Sequence, residues 1–232
     1  VQEKGFPKYD VQEAKDRLAY IAHVVNTKFP NRNVHLKFLG DFIESFTGKN
    51  HKDTWEQIEI HGAKVALLTA DILKEFILMV NNVHSVDVVG GNHDRVTAAN
   101  DDDTSSQVAE LLTGMLERMI GNIPFRYDRR ILTSVHDDIC YLITHGDKRI
   151  TKMEPAKMVL EYGDQNLFNL MLNAHGHSEL IHDSSIRYQA RQIPPVTVPN
   201  RYALDIGKSS PSGFVITEKS PRSGVEVYTY SL

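Results

Sequence analysis

The sequence is nearly devoid of cysteine. Cys140 is the only one in 232 residues, so no disulfide can close within the chain. It lies in the apolar run Ile139-Cys140-Tyr141-Leu142-Ile143, the setting of a buried strand residue rather than of a nucleophile. A chain without disulfides fits a reducing compartment, and the expected location is cytoplasmic. Long hydrophobic runs are also missing: none reaches the roughly 18 residues of a membrane-spanning helix, so no membrane partner is expected. Nor is there an excess of one charge. The net charge of -4 exerts no general pull on nucleic acid or on an anionic membrane. Nucleic acid stays open as a substrate, because a bound metal brings its own positive charge. Internal repeats at solenoid periods and low-complexity tracts are absent too. What is left is an ordinary globular composition at a length suited to one α/β domain, residues 1–232, with a substantial core.

Against these absences, one arrangement recurs. Four apolar runs each end in glycine together with Asp, Asn or His: Phe38-Leu39-Gly40-Asp41, Val88-Val89-Gly90-Gly91-Asn92-His93-Asp94, Leu142-Ile143-Thr144-His145-Gly146-Asp147 and Leu172-Asn173-Ala174-His175-Gly176-His177. Strand ends of this kind put polar groups at a sheet edge, within reach of a substrate. Taken singly, a Gly-Asp pair is usually a turn and a His-Gly pair says little. His175-Gly176-His177 says more, since two positions apart is a common chelating spacing. Together, the set of carboxylate, imidazole and amide without thiolate suits a borderline-hard divalent ion such as Mn, Fe or Zn. Two such ions about 3.5–4 Å apart can hold a hydroxide between them and clamp the oxygens of a phosphoryl group.

The rest of the chain frames these tips. Val11, Ala14, Leu18, Ile21, Val25 and Phe29 recur at helical spacing, with Asp10 as the N-cap and Glu13 three positions on. Val34 to Leu39 reads as a strand. Residues 55–80 read as mostly helical, with Ala63, Leu67, Ala70, Leu73, Ile77 and Val80 on one face. His84 to Val89 is the next strand. Residues 100–103 form an acidic stretch that reads as a solvated helix start, with Asp103 or Thr104 as the cap. Val108, Leu111, Leu112, Met115, Met119 and Ile120 line the helix that follows. Ile131 to Val135 and Ile139 to Thr144 suggest a hairpin. Residues 155–171 read as one or two short helices. A brief strand at 171–174 and strands at 186–193, 212–217 and 224–230 complete the chain. Alternating helix and strand followed by a strand-rich half predicts an α/β (α+β) fold, a four-layer αββα sandwich of two mixed sheets flanked by helices.

The series Gly40-Asp41-(two residues)-Glu44, Gly91-Asn92-His93-Asp94, His145-Gly146 and His175-Gly176-His177 resembles the calcineurin-like metallophosphoesterase superfamily, over residues 40–177. It looks more like the phage and bacterial exonuclease type than the protein phosphatases. The resemblance implies an αββα sandwich with a dinuclear centre of two divalent ions, manganese first, with iron, zinc or nickel as alternatives. It implies that Asp41 bridges the metals, that Asn92, His145 and His175 complete one shell, and that His177 serves the other. His93 would then act at the leaving-group oxygen as general acid or charge-stabilising donor, and Asp94 would orient it. The family's opening Asp-x-His motif does not precede Asp41 here. The chain starts at Val1, and the expectation is that a first strand carrying that motif lies upstream; the alternative is a natural variant with one complete metal site and one half-site.

For substrate contacts, Arg95 is placed to meet a phosphate or to form a surface ion pair. Lys148, Arg149 and Lys152 are placed to line an anionic groove or to begin a solvated helix. Arg187, Tyr188 and Arg191 mix basic and aromatic groups as nucleic-acid contacts do, though on a strand this is usually a solvent face, and Tyr202 sits in a long loop that could reach the site. The resemblance implies hydrolysis of phosphodiester bonds of DNA, RNA or nucleotides. Two alternatives stay open: a phosphomonoesterase acting on nucleotides or phosphoproteins, and a scaffold that keeps the fold without the chemistry.

Overall fold

A computed structural model describes residues 9–44, 46–47, 58, 60–97, 106–147, 154–198, 211–222 and 224–232. They fall into two compact units, 9–129 and 130–232. The chain is α/β, with helices and two main sheets, as the alternation of patterns predicts.

The first unit holds a parallel sheet in the order β1-β2-β3, made by β1 (Val34–Phe38), β2 (Val83–Val89) and β3 (Phe125–Asp128). Its helices are α1 (Val11–Lys28), α2 (Ala63–Met79) and α3 (Gln107–Ile120). Asp10 caps α1 as its sequence position predicts, accepting the Glu13 N–H at 2.9 Å, while the Glu13 carboxylate takes Arg17 Nε at 2.6 Å. Helix α2 starts later than its apolar spacing suggests. Gly62, at φ 61 and ψ -140, sets the chain in a non-helical turn just before Ala63, and the residues described at 58 and 60–62 are not helical. Its buried face is Ala66, Ala70, Leu73, Phe76 and Ile77, whereas Leu67, expected on that face, is 56% exposed.

The central strand β2 is buried from Ser85 to Val89. Its Asp87 is fully buried and stands between its two cross-strand neighbours, Lys37 on β1 and Arg126 on β3. Lys37 Nζ reaches one carboxylate oxygen at 2.7 Å, and Arg126 reaches the other through Nε at 2.9 Å and Nη2 at 2.7 Å. A buried carboxylate is tolerable only with such pairing.

In the second unit five strands run in the order β4-β5-β6-β8-β7. They are β4 (Ile131–His136), β5 (Ile139–Thr144), β6 (Phe168–Asn173), β7 (Leu180–Ser184) and β8 (Tyr188–Gln192). β4 and β5 form the expected hairpin. Asp137 and Asp138 turn it with φ of 50 and 60, the paired left-handed residues of a two-residue loop that follows strand twist. β5, β6 and β8 are parallel, and β7 closes the edge antiparallel to β8. The helix α4 (Pro155–Tyr162) precedes β6, and the hairpin of β9 (Gly213–Ser220) and β10 (Gly224–Ser231) is a separate antiparallel pair.

The expected second helix before residue 171 is instead a turn and the start of β6. Buried Asn169 makes it so: its amide accepts from Asp164 N at 3.0 Å and donates to the oxygens of Asp164 and Leu167 at 2.8 and 3.0 Å. A polar side chain that satisfies the backbone this way competes with helix. β3 and β7 were not expected as strands. The first is four residues long, and the second is exposed at every position and shows no alternation.

Candidate functional site

The candidate residues lie in both units, and each unit positions its own share. In the first unit, the loops after β1 and β2 cross in backbone contact. Gly40 has φ 84, and a Cβ there would fall 2.5 Å from Gly91 N. A Cβ on Gly91 would run into the Asp41 carboxylate, and one on Gly90 into the side chain of Ser106. The three glycines are therefore demanded by the approach of the chains, not by turn preference alone.

Three side-chain-to-backbone bonds lock this crossing. The buried Asp94 carboxylate accepts Asp41 N at 2.7 Å, Gly91 N at 2.9 Å and Phe42 N at 2.8 Å. Asp41, itself left-handed at φ 58, returns the favour by accepting His93 N at 2.9 Å. His93 Nδ1 lies 2.9 Å from the main-chain oxygen of Glu44, with the Glu44 carboxylate 3.7 Å off. Phe42 and Ile43 then carry this loop into the core against Ala66, Ala70, Val108 and Leu112. Helix α3 docks on the other side: Val108 N donates to Asp94 O at 2.8 Å, Ser106 Oγ to Gly91 O at 3.3 Å and Tyr127 Oη to Ser106 O at 2.9 Å. Burial above all, then the carboxylates of Glu110, Asp94 and Asp128, push the Tyr127 hydroxyl well above its usual pKa, so it stays a donor.

The Asp94 carboxylate, expected to aim the His93 ring, accepts three main-chain N–H groups, and His93 Nδ1 lies against the main-chain oxygen of Glu44. Asn92 stands half-buried at the turn between Gly91 and His93, and Arg95 Nε donates to the Asn92 main-chain oxygen at 2.5 Å, bracing that turn.

In the second unit, the parallel pairing of Thr144 with Asn173 brings the ends of β5 and β6 side by side. His145 follows β5 and is buried, and its carbonyl accepts Ala174 N at 2.9 Å. The rings of His145 and His175 meet edge to face with centroids 5.1 Å apart. His175 is exposed at φ 57, and His177 is half-buried at φ 50. Non-glycine residues in the left-handed region cost of order 1 kcal/mol each and concentrate at functional sites. Gly176, between them, sits where a Cβ would strike Gln192, whose Nε2 binds the oxygens of Ser178 at 2.8 Å (main chain) and 2.6 Å (Oγ).

The basic and aromatic groups in β8 and just before it have partners in their own unit: Arg187 Nη1 on Gln165 O at 2.8 Å, Tyr188 Oη on Asp183 at 2.7 Å, and Arg191 Nε on Gln189 at 2.6 Å. This favours the solvent-face reading of that strand. Lys148, Arg149, Lys152, Tyr202 and the acidic stretch 100–103 lie outside the described residues.

The two rings of the second unit fit a transition-metal ion. An ion about 2.1 Å from an imidazole nitrogen stands about 3.2 Å from the ring centre, and two such rings at a tetrahedral angle are about 5 Å apart. That is the separation of His145 and His175. Imidazole suits Fe, Ni and Zn, whereas Mn prefers oxygen donors, so the two rings alone do not single out a metal.

No family model matches the chain, and no curated protein does. Among solved structures it is similar to a Vps29 single mutant from Entamoeba histolytica, with 10% identity over 85% of this chain and 98% of that one and a TM-score of 0.40. It is also similar to Vacuolar Protein Sorting 29 from Cryptosporidium parvum (9% identity, 86% and 98% covered, TM-score 0.40) and to YfcE, a phosphoesterase from E. coli (8% identity, 85% and 97% covered, TM-score 0.36). No described helix is long and apolar enough to cross a membrane.

Proposed function

We propose that the chain is a metal-dependent phosphoesterase that hydrolyses phosphodiester bonds, with nucleic acid or a nucleotide as substrate. The observation that carries this reading is the pair of rings at 5.1 Å, His145 and His175, held at adjacent tips of parallel strands. With Asn92 they are the proposed ligands of one ion. Asp41 is the proposed bridge to a second ion, which His177 serves. All five would belong to one centre in one domain, in the cytoplasm, with manganese the first metal to test. The metal supplies charge stabilisation on the phosphoryl oxygens and lowers the pKa of water.

The remaining work falls to the protein. Hydrolysis breaks the P–O ester bond and places water's oxygen on phosphorus, and the departing oxygen takes its proton from His93. Asp94 holds the crossing loops so that Asp41 and His93 keep a fixed relation. Arg95, Lys148 and Arg149 are the proposed phosphate contacts.

The test is parallel turnover of bis-p-nitrophenyl phosphate and p-nitrophenyl phosphate with added Mn. Faster diester turnover supports the reading. Faster monoester turnover replaces it with a phosphomonoesterase, and no turnover of either, with metal bound, leaves a scaffold.

A further inference from the structure

We propose that His35 and His84 form a further metal site, apart from the candidate centre, which takes a late first-row divalent ion such as zinc. The two histidines stand near the starts of β1 and β2, whereas Asp41 and Asn92 to Asp94 follow the ends of those strands. At about 3.3 Å per residue, the positions from His35 to Asp41 separate the two places by up to roughly 20 Å. A register shift brings the rings together. Val34 pairs with Val83 but His35 pairs with Ser85, so β2 carries one extra residue, His84, at this point. In an unbroken ladder Ser85 would share the face of His35, and His84 would point to the other face. The bulge breaks that alternation. The His84 ring meets the His35 ring edge to face, with centroids 5.4 Å apart and planes at 71°. With an ion about 2.1 Å from one nitrogen of each ring, that separation corresponds to an angle of about 115° at the metal, close to tetrahedral. Ser85 Oγ lies 2.7 Å from His35 Nδ1 and leaves Nε2 as the ligand, because a hydrogen bond at one ring nitrogen orients the other toward a metal. The main chain is fixed as well: Asn82 O accepts Val34 N at 2.9 Å, joining the two strand starts. His84 is exposed and His35 half-buried, so an ion reaches the pair from solvent. Two imidazoles without thiolate suit zinc, nickel or copper, and water takes the remaining positions, which makes the ion exchangeable. Bound there, it ties β1 to β2 at the end of the sheet away from the crossing of their following loops.

The test uses zinc alone as the probe and needs no enzymatic activity, so it stands or falls apart from the phosphoesterase reading. Metal-free wild type, His84→Ala and His84→Phe are titrated with zinc by calorimetry, and the same series is repeated in a His145→Ala/His175→Ala background that lacks two ligands of the candidate centre. Phenylalanine keeps an edge-to-face ring but offers no nitrogen, so it separates metal binding from ring packing. In either background both His84 variants are expected to bind one equivalent of zinc less than their parent. Zinc should raise the Tm of the parent in the second background, since a ligand held only by the folded state stabilises it. That rise should vanish in His84→Phe, whose metal-free Tm stays near that of its parent. Long-range 1H–15N spectra should show zinc moving the Nε2 resonance of His35 when His84 is present and not when phenylalanine replaces it. Zinc stoichiometry unchanged by both His84 variants overturns the proposal, and so does a His35 Nε2 resonance that zinc leaves in place.

Discussion

Asp94 accepts the main-chain N–H of Asp41 at 2.7 Å across 53 positions of sequence, and Asp41 accepts the N–H of His93 at 2.9 Å in return. The tips of β1 and β2 are therefore one structure, held by two carboxylates that each accept a main-chain N–H from the opposite tip. Neither tip can move without breaking the other.

The first prediction concerns this lock. Asp94→Ala leaves the N–H groups of Asp41, Phe42 and Gly91 without their acceptor. Buried donors stranded in this way cost about 1–3 kcal/mol each, so the variant should lose about 3 kcal/mol or more of stability. Urea denaturation followed by circular dichroism measures it; a loss below about 1 kcal/mol would show that water replaces the carboxylate.

Gly91→Ala is the second. The new methyl group runs into the Asp41 carboxylate, which cannot retreat without releasing His93 N. Overpacking of about 1–3 kcal/mol is expected, together with weakened metal binding, in a calorimetric titration with Mn. A variant with wild-type stability and wild-type metal affinity would contradict the crossing of the two loops.

The third concerns the buried ladder of Lys37, Asp87 and Arg126. Asp87→Ala takes from the nearly buried Lys37 ammonium its carboxylate partner at 2.7 Å and should cost about 3–5 kcal/mol by chemical denaturation. The double variant Lys37→Met/Asp87→Leu removes both charges and should recover most of that loss, because Arg126 is partly exposed and can turn to water. If the double variant is no more stable than Asp87→Ala, the ladder is not an ion-pair arrangement in energetic terms.

The fourth has the opposite sign. Thr144, at the end of β5, carries a buried hydroxyl that finds no hydrogen-bond partner among the described residues. Thr144→Val keeps the shape and removes the orphaned group, so it should be neutral or stabilising by about 1 kcal/mol. Thermal denaturation showing a clear loss would mean that the hydroxyl has a partner, such as bound water.

How much of this was legible in the sequence follows from what each signal encodes. Apolar spacing placed α1, α3, β2 and the β4–β5 hairpin, because these elements bury one face or both, and it placed β1, which is half-buried throughout. It misplaced the start of α2, since Gly62 breaks the helix for conformational reasons that the apolar pattern around it hides. It missed β7, which buries no face at all, and it read helix where Asn169 ties the chain into a turn. In the candidate site, the Gly-plus-polar tips marked where the loops after the strands approach closely, because glycine records a close backbone approach. Which group binds which could not be read the same way. Asp94 lies beside His93 in sequence but gives its carboxylate to the backbone, while Glu44 reaches His93 only because two loops cross.

The proposed metal site depends first on His145 and His175. The most direct measurement is the metal content of the purified protein after loading with Mn and desalting, for wild type, His145→Ala and His175→Ala, with circular dichroism to confirm that each is folded. Both variants are expected to lose at least one equivalent of metal relative to wild type while remaining folded. Folded variants that retain the full wild-type metal content would contradict it.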